Sequence, residues 1–151
     1  LVLSGGTPNM VTPDTKITAT QQLEYWEQRQ MAVARGKAEA IKDKRRVRAD
    51  VLAAFFRKTK AGESKVYRVD AYDNVSVLTE RDRAYGDRGV YDVETGIVTL
   101  SGSVRIERGK NELKGCKAEV NLNTGISRLF SCPGGRTKGT LMPNAKETMG
   151  K

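Results

Sequence analysis

Histidine is absent from this sequence, and with it the commonest general base and the commonest metal ligand. Cysteine is nearly absent: Cys116 and Cys132 are the two present, too few for a structural zinc site. No window approaches the run of about 18 apolar residues that a membrane-spanning helix needs, and no signal peptide is visible. The chain opens on Leu1-Val-Leu-Ser-Gly-Gly, which reads as a processed or truncated start. The fingerprints of a nucleophile elbow, a P-loop and a dinucleotide fold are missing. Asp50 and Asp87 each follow a small residue at equivalent places in a repeat, so they are expected to cap turns rather than to act as an acid and base. No catalytic residue, metal or cofactor is therefore expected. Apolar residues make up 38% and aromatics 6%, lean for a compact core but suited to a thin, two-layered β structure with a narrow interior.

What the sequence does have is an internal repeat at an offset of 66 residues, as from Gly36 to Gly102. Tyr25 meets Tyr91, Ala32 meets Val98, Ala34 meets Leu100, Ala38 meets Val104, Ala40 meets Ile106, and Val47 meets Leu113. The matches fall on every second residue and hold a glycine in phase, which is the period of a pleated strand and not of a helix. A shorter copy, Ala71-Tyr-Asp-Asn-Val75-Ser-Val77, lies between them with Asp73 in place of the glycine. Each unit reads as strand, residue tolerant of a left-handed conformation, strand, polar turn, strand. Stacked copies would share one continuous core.

The stretch from Leu23 to Phe56 is rich in Ala, Glu, Gln, Lys and Arg, and Leu23, Trp26 and Met31 can be set on one helical face. Its repeat mate around Ile97–Ile106 is β-branched and alternating, so the helix is rejected and the whole chain is expected to be β. Turns are expected at 59–65, 79–83, 93–96, 107–111 and 123–125. Residues 1–14 read as an extended arm, 15–132 as one domain, and 133–151 as a flexible tail.

A net charge of +9 favours anionic partners. The densest cationic run, Lys42-Asp-Lys44-Arg45-Arg46-Val-Arg48, is either a solvated hairpin turn or a phosphate-binding rim, since arginine offers paired donors to phosphate oxygens. Tyr25, Trp26, Phe55, Phe56, Tyr67, Tyr72, Tyr85, Tyr91 and Phe130 fall mostly at strand phase, which favours core use over a role as base-stacking platforms. If the strands flanking Asn123-Thr-Gly125 form a hairpin centred on Thr124, Leu122 faces Ile126 and Cys116 faces Cys132, near enough to bridge. Two buried free thiols are the alternative; a bridge implies an oxidising compartment.

Ile17-Thr-Ala19, Ala34-Arg-Gly36, Arg48-Ala49-Asp50, Ala84-Tyr-Gly-Asp87 with Tyr91-Asp92, Val98-Thr-Leu-Ser-Gly102-Ser-Val104 and Asn111-Glu-Leu-Lys-Gly115 occur in an order and spacing that resembles the LptA-like (OstA) family of lipopolysaccharide-transport proteins. The resemblance covers about residues 15–131; Asp73 replaces a usual glycine, and Cys116 stands where the family has Asp. It implies an open, curved antiparallel β-jellyroll whose two sheets form a V-shaped trough. It further implies a periplasmic, non-catalytic carrier that takes lipopolysaccharide by its acyl chains. Its partners would be the inner-membrane and outer-membrane components of the export machine and further copies of itself, stacked head to tail.

The alternation places Ile17, Val75, Val77, Tyr91, Val93, Leu100, Val104 and Ile106 inside, as the lipid-binding face. Lys42, Lys44, Arg45, Arg46 and Arg48 are the candidate anion rim, suited to lipid A phosphates. An Asp at Val77 or Val104 is expected to weaken lipid binding with the fold retained. Free strand edges are expected near Ile17 and near Ile126–Phe130. Two alternatives remain: another component of the same machine, membrane-anchored or the N-terminal domain of the translocon, and a basic nucleic-acid-binding β module. Nucleic acid is the less expected partner.

Overall fold

The computed structural model describes residues 2–4, 7–12, 14–132 and 140–141. Among them are twelve strands and no helix: β1 (Val2–Ser4), β2 (Thr7–Val11), β3 (Lys16–Thr18), β4 (Gln22–Trp26), β5 (Met31–Lys42), β6 (Arg45–Lys58), β7 (Ser64–Leu78), β8 (Asp82–Asp92), β9 (Ile97–Arg108), β10 (Asn111–Asn121), β11 (Ser127–Phe130) and β12 (Thr140–Leu141). Neighbours in the chain pair antiparallel from β5 to β12, while β3 and β4 share the free side of β5. The stretch that could have been a helix, Leu23 to Phe56, is the short β4, the long β5 and most of β6, with their turns.

Every long strand is interrupted at one column. The ladder slips between Arg35 and Ala38 of β5, Arg48 and Val51 of β6, Tyr72 and Val75 of β7, Tyr85 and Arg88 of β8, and Gly115 and Lys117 of β10. On alternate strands the slip is made by two successive left-handed residues: Gly36 and Lys37 (φ 87° and 41°), Asp73 and Asn74 (67° and 52°), Gly102 and Ser103 (78° and 47°). On the strands between, a single residue answers them: Asp50, Asp87 or Cys116. Asn74 donates to Asp50 Oδ2 at 2.9 Å, and Asp87 packs on Gly102. The expected αL-tolerant residues are thus bulges, and Asp50 and Asp87 brace those bulges rather than turns. Bulges bend strands and sharpen their twist. Aligned across six strands they make a crease, and the sheet folds along it into the two faces of an open V-shaped jellyroll.

The crease gives a testable contrast. A Cβ at Gly102 would sit 2.5 Å from Asp87 Oδ2 on a backbone that L-residues avoid. Gly102→Ala should therefore lose more than the roughly 1–2 kcal/mol that a left-handed residue costs. Asp73→Gly, at the equivalent place in the middle copy, should lose nothing, because the glycine relieves φ 67°. Urea unfolding of both variants checks this.

Inward side chains of both faces form one apolar cluster running from Ile17 and Leu23 to Val120 and Leu129. Aromatic rings contribute less to it than their strand phase suggests. Phe56 and Tyr91 are buried and Tyr25 points inward at one end, but the other rings lie on the outer face or at its margins. There cations cover them: Arg57 over Tyr67 at 4.1 Å, Arg105 over Tyr85 at 4.5 Å, Arg68 over Phe55 at 5.1 Å, Arg88 over Tyr72 at 5.3 Å. Cation–π attraction lets a ring and an arginine shield each other on a solvated face, which alternation cannot reveal.

The strand edges also differ from expectation. Residues expected to be an arm supply β1 and β2, and β2 pairs with β3, so Ile17 is not at an edge. On the other side β12 pairs with Ser127 and Arg128 of β11. The expected tail otherwise lies outside the described residues.

Candidate lipid-binding trough

Two rows of side chains line the inside of each face. In one face Ile17, Ala40, Val47, Val77, Ala84, Ile106 and Leu113 stand abreast, with Ala38, Ala49, Val75 and Val104 in the next row. In the other face Leu23, Ala34, Leu52, Ala71, Leu100, Ala118 and Leu129 stand abreast, with Tyr25, Ala32, Ala54, Val69, Tyr91, Val98 and Val120 beside them. All of the residues assigned to the inner face from the sequence lie in these rows or next to them, from 0% exposed at Leu100 and Ile106 to 7% at Val93. The alanines of β5 share the same wall, although the sequence reading left them out. Their phase in the repeat was the available signal.

The rows are buried in the middle, and some of their end residues are only partly covered. Met10, paired with Ile17, and Tyr25, paired with Ala32, point inward at one end; Tyr25 is 45% exposed and touches Phe56 edge-on. Leu113, paired with Ile106, is half-buried at the other. Beyond it β11 covers only Lys117–Val120 of β10. Among the described residues the first half of β10 is therefore laddered on one side only.

Opposite the crease the tips of the two faces approach and form a mouth. The β5–β6 and β7–β8 turns belong to one face and the β10–β11 turn to the other. Between them lies a cleft of about 410 Å³ lined by Lys44, Arg45, Arg81, Asp82, Leu122 and Asn123, among others. Arg108 closes one side of it. Its Nε and an Nη each donate to an Asp82 carboxylate oxygen at 2.6 Å, and the Nη also donates to the Gly125 carbonyl at 3.1 Å on the facing turn. Asp82 holds the Arg108 pKa above its ordinary value. Tyr91 approaches Arg45 from the other face, beneath the mouth. Burial raises its hydroxyl pKa, the Arg45 guanidinium opposes that rise, and the hydroxyl has no hydrogen-bond partner of good geometry.

The basic run is divided by the fold. Arg46 and Arg48 point outward and share Glu39, at 3.5 and 2.6 Å. Lys42 stands 3.8 Å from Asp14, and Lys44 3.4 Å from Glu80. Only Lys44 and Arg45 reach the mouth, where they meet Arg81 and Arg108, which the sequence reading did not single out. Arg108 is the repeat mate of Lys42, so the offset of 66 was the available signal.

Cys116 and Cys132 are joined, with Cα atoms 4.9 Å apart. The hairpin before them is centred one step away from Thr124: Val120 pairs with Ser127 and Lys117 with Phe130. Asn121 sets this centre by accepting from the backbone of Asn123 and Thr124 at 2.9 and 3.1 Å. The ladder continued would set Cys116 against Ser131, and the bulge at Cys116 supplies the missing step to Cys132. Cys116 occupies on β10 the crease position that Asp50 and Asp87 occupy on β6 and β8, so the bond ties covalently what Asn74 and Asp50 tie by hydrogen bonding. Closing a loop of this size contributes about 3 kcal/mol in the chain-entropy account.

Known proteins share this architecture. The chain is similar to an uncharacterised protein of Rhizobium meliloti (strain 1021), 24% identical over 134 residues, covering 85% of this chain and 72% of that one. Its fold is similar to that in the crystal structure of LptH of Pseudomonas aeruginosa, described as the LptA-homologous periplasmic component of the conserved lipopolysaccharide transport device. The match has a TM-score of 0.68, 15% identity, and covers 91% of this chain and 94% of that one; at that identity it establishes the fold. The family described as LptA/(LptD N-terminal domain) LPS transport protein matches residues 16–126, from β3 to the β10–β11 turn. The chain belongs to this family of lipopolysaccharide transport proteins, which are carriers and not enzymes.

Proposed function

We propose that this protein holds lipopolysaccharide by its acyl chains between the two faces of the jellyroll, in the periplasm, and hands it from inner-membrane towards outer-membrane components of the export machine. The observation that carries this reading is the inward apolar lining, continuous through the domain and only partly covered at both ends, at Met10 and Tyr25 and at Leu113. Each methylene taken from water is worth about 0.8 kcal/mol, so such a lining holds chains without specific hydrogen bonds. A guest chain would enter as the faces part at the mouth, with the crease as hinge. Copies set end to end would join their linings into one path, the half-laddered β10 offering an edge for the next strand. The Cys116–Cys132 bond supports an oxidising compartment. Rings already covered by arginine are poor stacking platforms, which weighs against nucleic acid.

A photo-crosslinking scan tests this. A photoreactive residue at Val77, Leu100 or Val104, which point inward, should crosslink to co-purified lipopolysaccharide. The same residue at Ser76, Thr99 or Arg105, which point outward, should not. Equal labelling of both sets would refute acyl binding between the faces.

A further inference from the structure

The mouth carries positive charge that the fold does not use. Asp82 is committed to Arg108 through both oxygens, and Glu80 faces Lys44 across an exposed pair. Arg45 and Arg81 line the same cleft and pair with no carboxylate among the described residues. Next to Arg45 stands the Tyr91 hydroxyl, on a residue only 5% exposed, with no hydrogen-bond partner of good geometry and the Arg45 guanidinium as its nearest polar neighbour. The floor of the cleft is apolar: Val120 is part of the core cluster and Leu122 packs against it. A cationic lip over an apolar floor fits an amphiphile whose charge lies at the root of its chains.

We propose that Arg45 and Arg81, assisted by Lys44 and the Tyr91 hydroxyl, form a phosphate site at the mouth of the trough, for the phosphorylated head of the lipid whose chains lie inside. The proposal rests on the acyl-binding reading above. Two guanidinium groups present paired donors to phosphate oxygens, and Tyr91, buried beside Arg45, would add a neutral donor from the opposite face once the mouth parts, so a bound phosphate would span the mouth. Lys44 would exchange Glu80 for the phosphate. The interaction would set the lipid's depth, with the head at the lip.

The test compares the wild-type chain with an Arg45→Gln, Arg81→Gln double variant, whose circular dichroism and melting must match. The probes are bisphosphorylated lipid A and its dephosphorylated form with identical acyl chains, in one non-ionic detergent, and inorganic phosphate alone. The double variant should bind the phosphorylated lipid at least about tenfold more weakly, the loss of one charge-assisted bond, and the dephosphorylated lipid unchanged. Equal weakening for both lipids, or for neither, would overturn the site. Inorganic phosphate that binds wild type but not the variant, with the lipids indistinguishable, would overturn the headgroup assignment and leave a site for the free ion. If wild type binds neither lipid, the acyl-binding reading falls, and the phosphate arm alone decides whether Arg45 and Arg81 hold an anion.

Discussion

Replacing Arg108 by alanine should cost this protein about 3–5 kcal/mol, the usual consequence of stranding one member of a buried ion pair. The side chains of Arg108 and Asp82 are only 13% and 8% exposed, so water does little to solvate the carboxylate left behind. The variant also loses the bond to the Gly125 carbonyl, which ties the tips of the two faces together. Among proteins of this size each kcal/mol shifts the melting temperature by a few degrees, so the fall should be on the order of 10 °C. An Asp82→Leu, Arg108→Leu double variant separates the two effects. Two apolar side chains of similar volume should recover most of the stability lost by the single change, because neither charge is then stranded. The mouth would still lack its tie, so the double variant should melt normally yet admit lipid faster. A double variant as unstable as the single one, or one that admits lipid no faster than wild type, would mean that Arg108 acts through something other than this pair.

The crease shows why so much of the fold could be read from the sequence. Its glycines need positive φ, and a requirement of that kind recurs at the same phase in each copy. Asp73 broke the glycine pattern without breaking the structure, since Asp and Asn are the other residues that tolerate a left-handed backbone. The repeat also outweighed local propensity: the alanine- and glutamate-rich first copy is strand because its inward positions match those of the β-branched second copy. Register is harder to read. The β10–β11 hairpin is centred by Asn121, whose side chain caps the turn, and counting from Thr124 misses by one step. The cysteines met regardless, because a bulge lay beside one of them.

The mouth could not be read in the same way. Lys44, Arg81, Arg108 and Leu122 come from four separate turns or strand ends, and nothing in their spacing says that they converge. Charge density pointed instead to the run from Lys42 to Arg48. Strand alternation then turned Arg46 and Arg48 outward to Glu39 and left only Lys44 and Arg45 at the lip. A dense basic run identifies a polar turn, whereas a binding site also needs the turns that fold opposite it.

An aspartate at Val104 should unfold the protein, and one at Ser103 should leave it almost unchanged. Val104 is 2% exposed and lies in the inner row beside Val75 and Gly115. A carboxylate there has no partner, and burying it unpaired costs several kcal/mol even when it escapes by taking up a proton. Set against the 5–15 kcal/mol that separates a typical domain from its unfolded state, that loss is a large part of the total. The sequence alone suggested that Asp at Val77 or Val104 would weaken lipid binding and spare the fold. At 1% and 2% exposure neither position allows it, because both walls of the trough are also the core. Ser103 is the next residue along the strand, exposed and left-handed at φ 47°, a conformation that Asp tolerates better than most residues. Its change should stay within about 0.5 kcal/mol. Urea unfolding of the two variants measures the contrast, and it reads the phase of β9 directly. A stable Val104→Asp protein would mean that the faces stand apart in solution, leaving the lining wet and the trough already open.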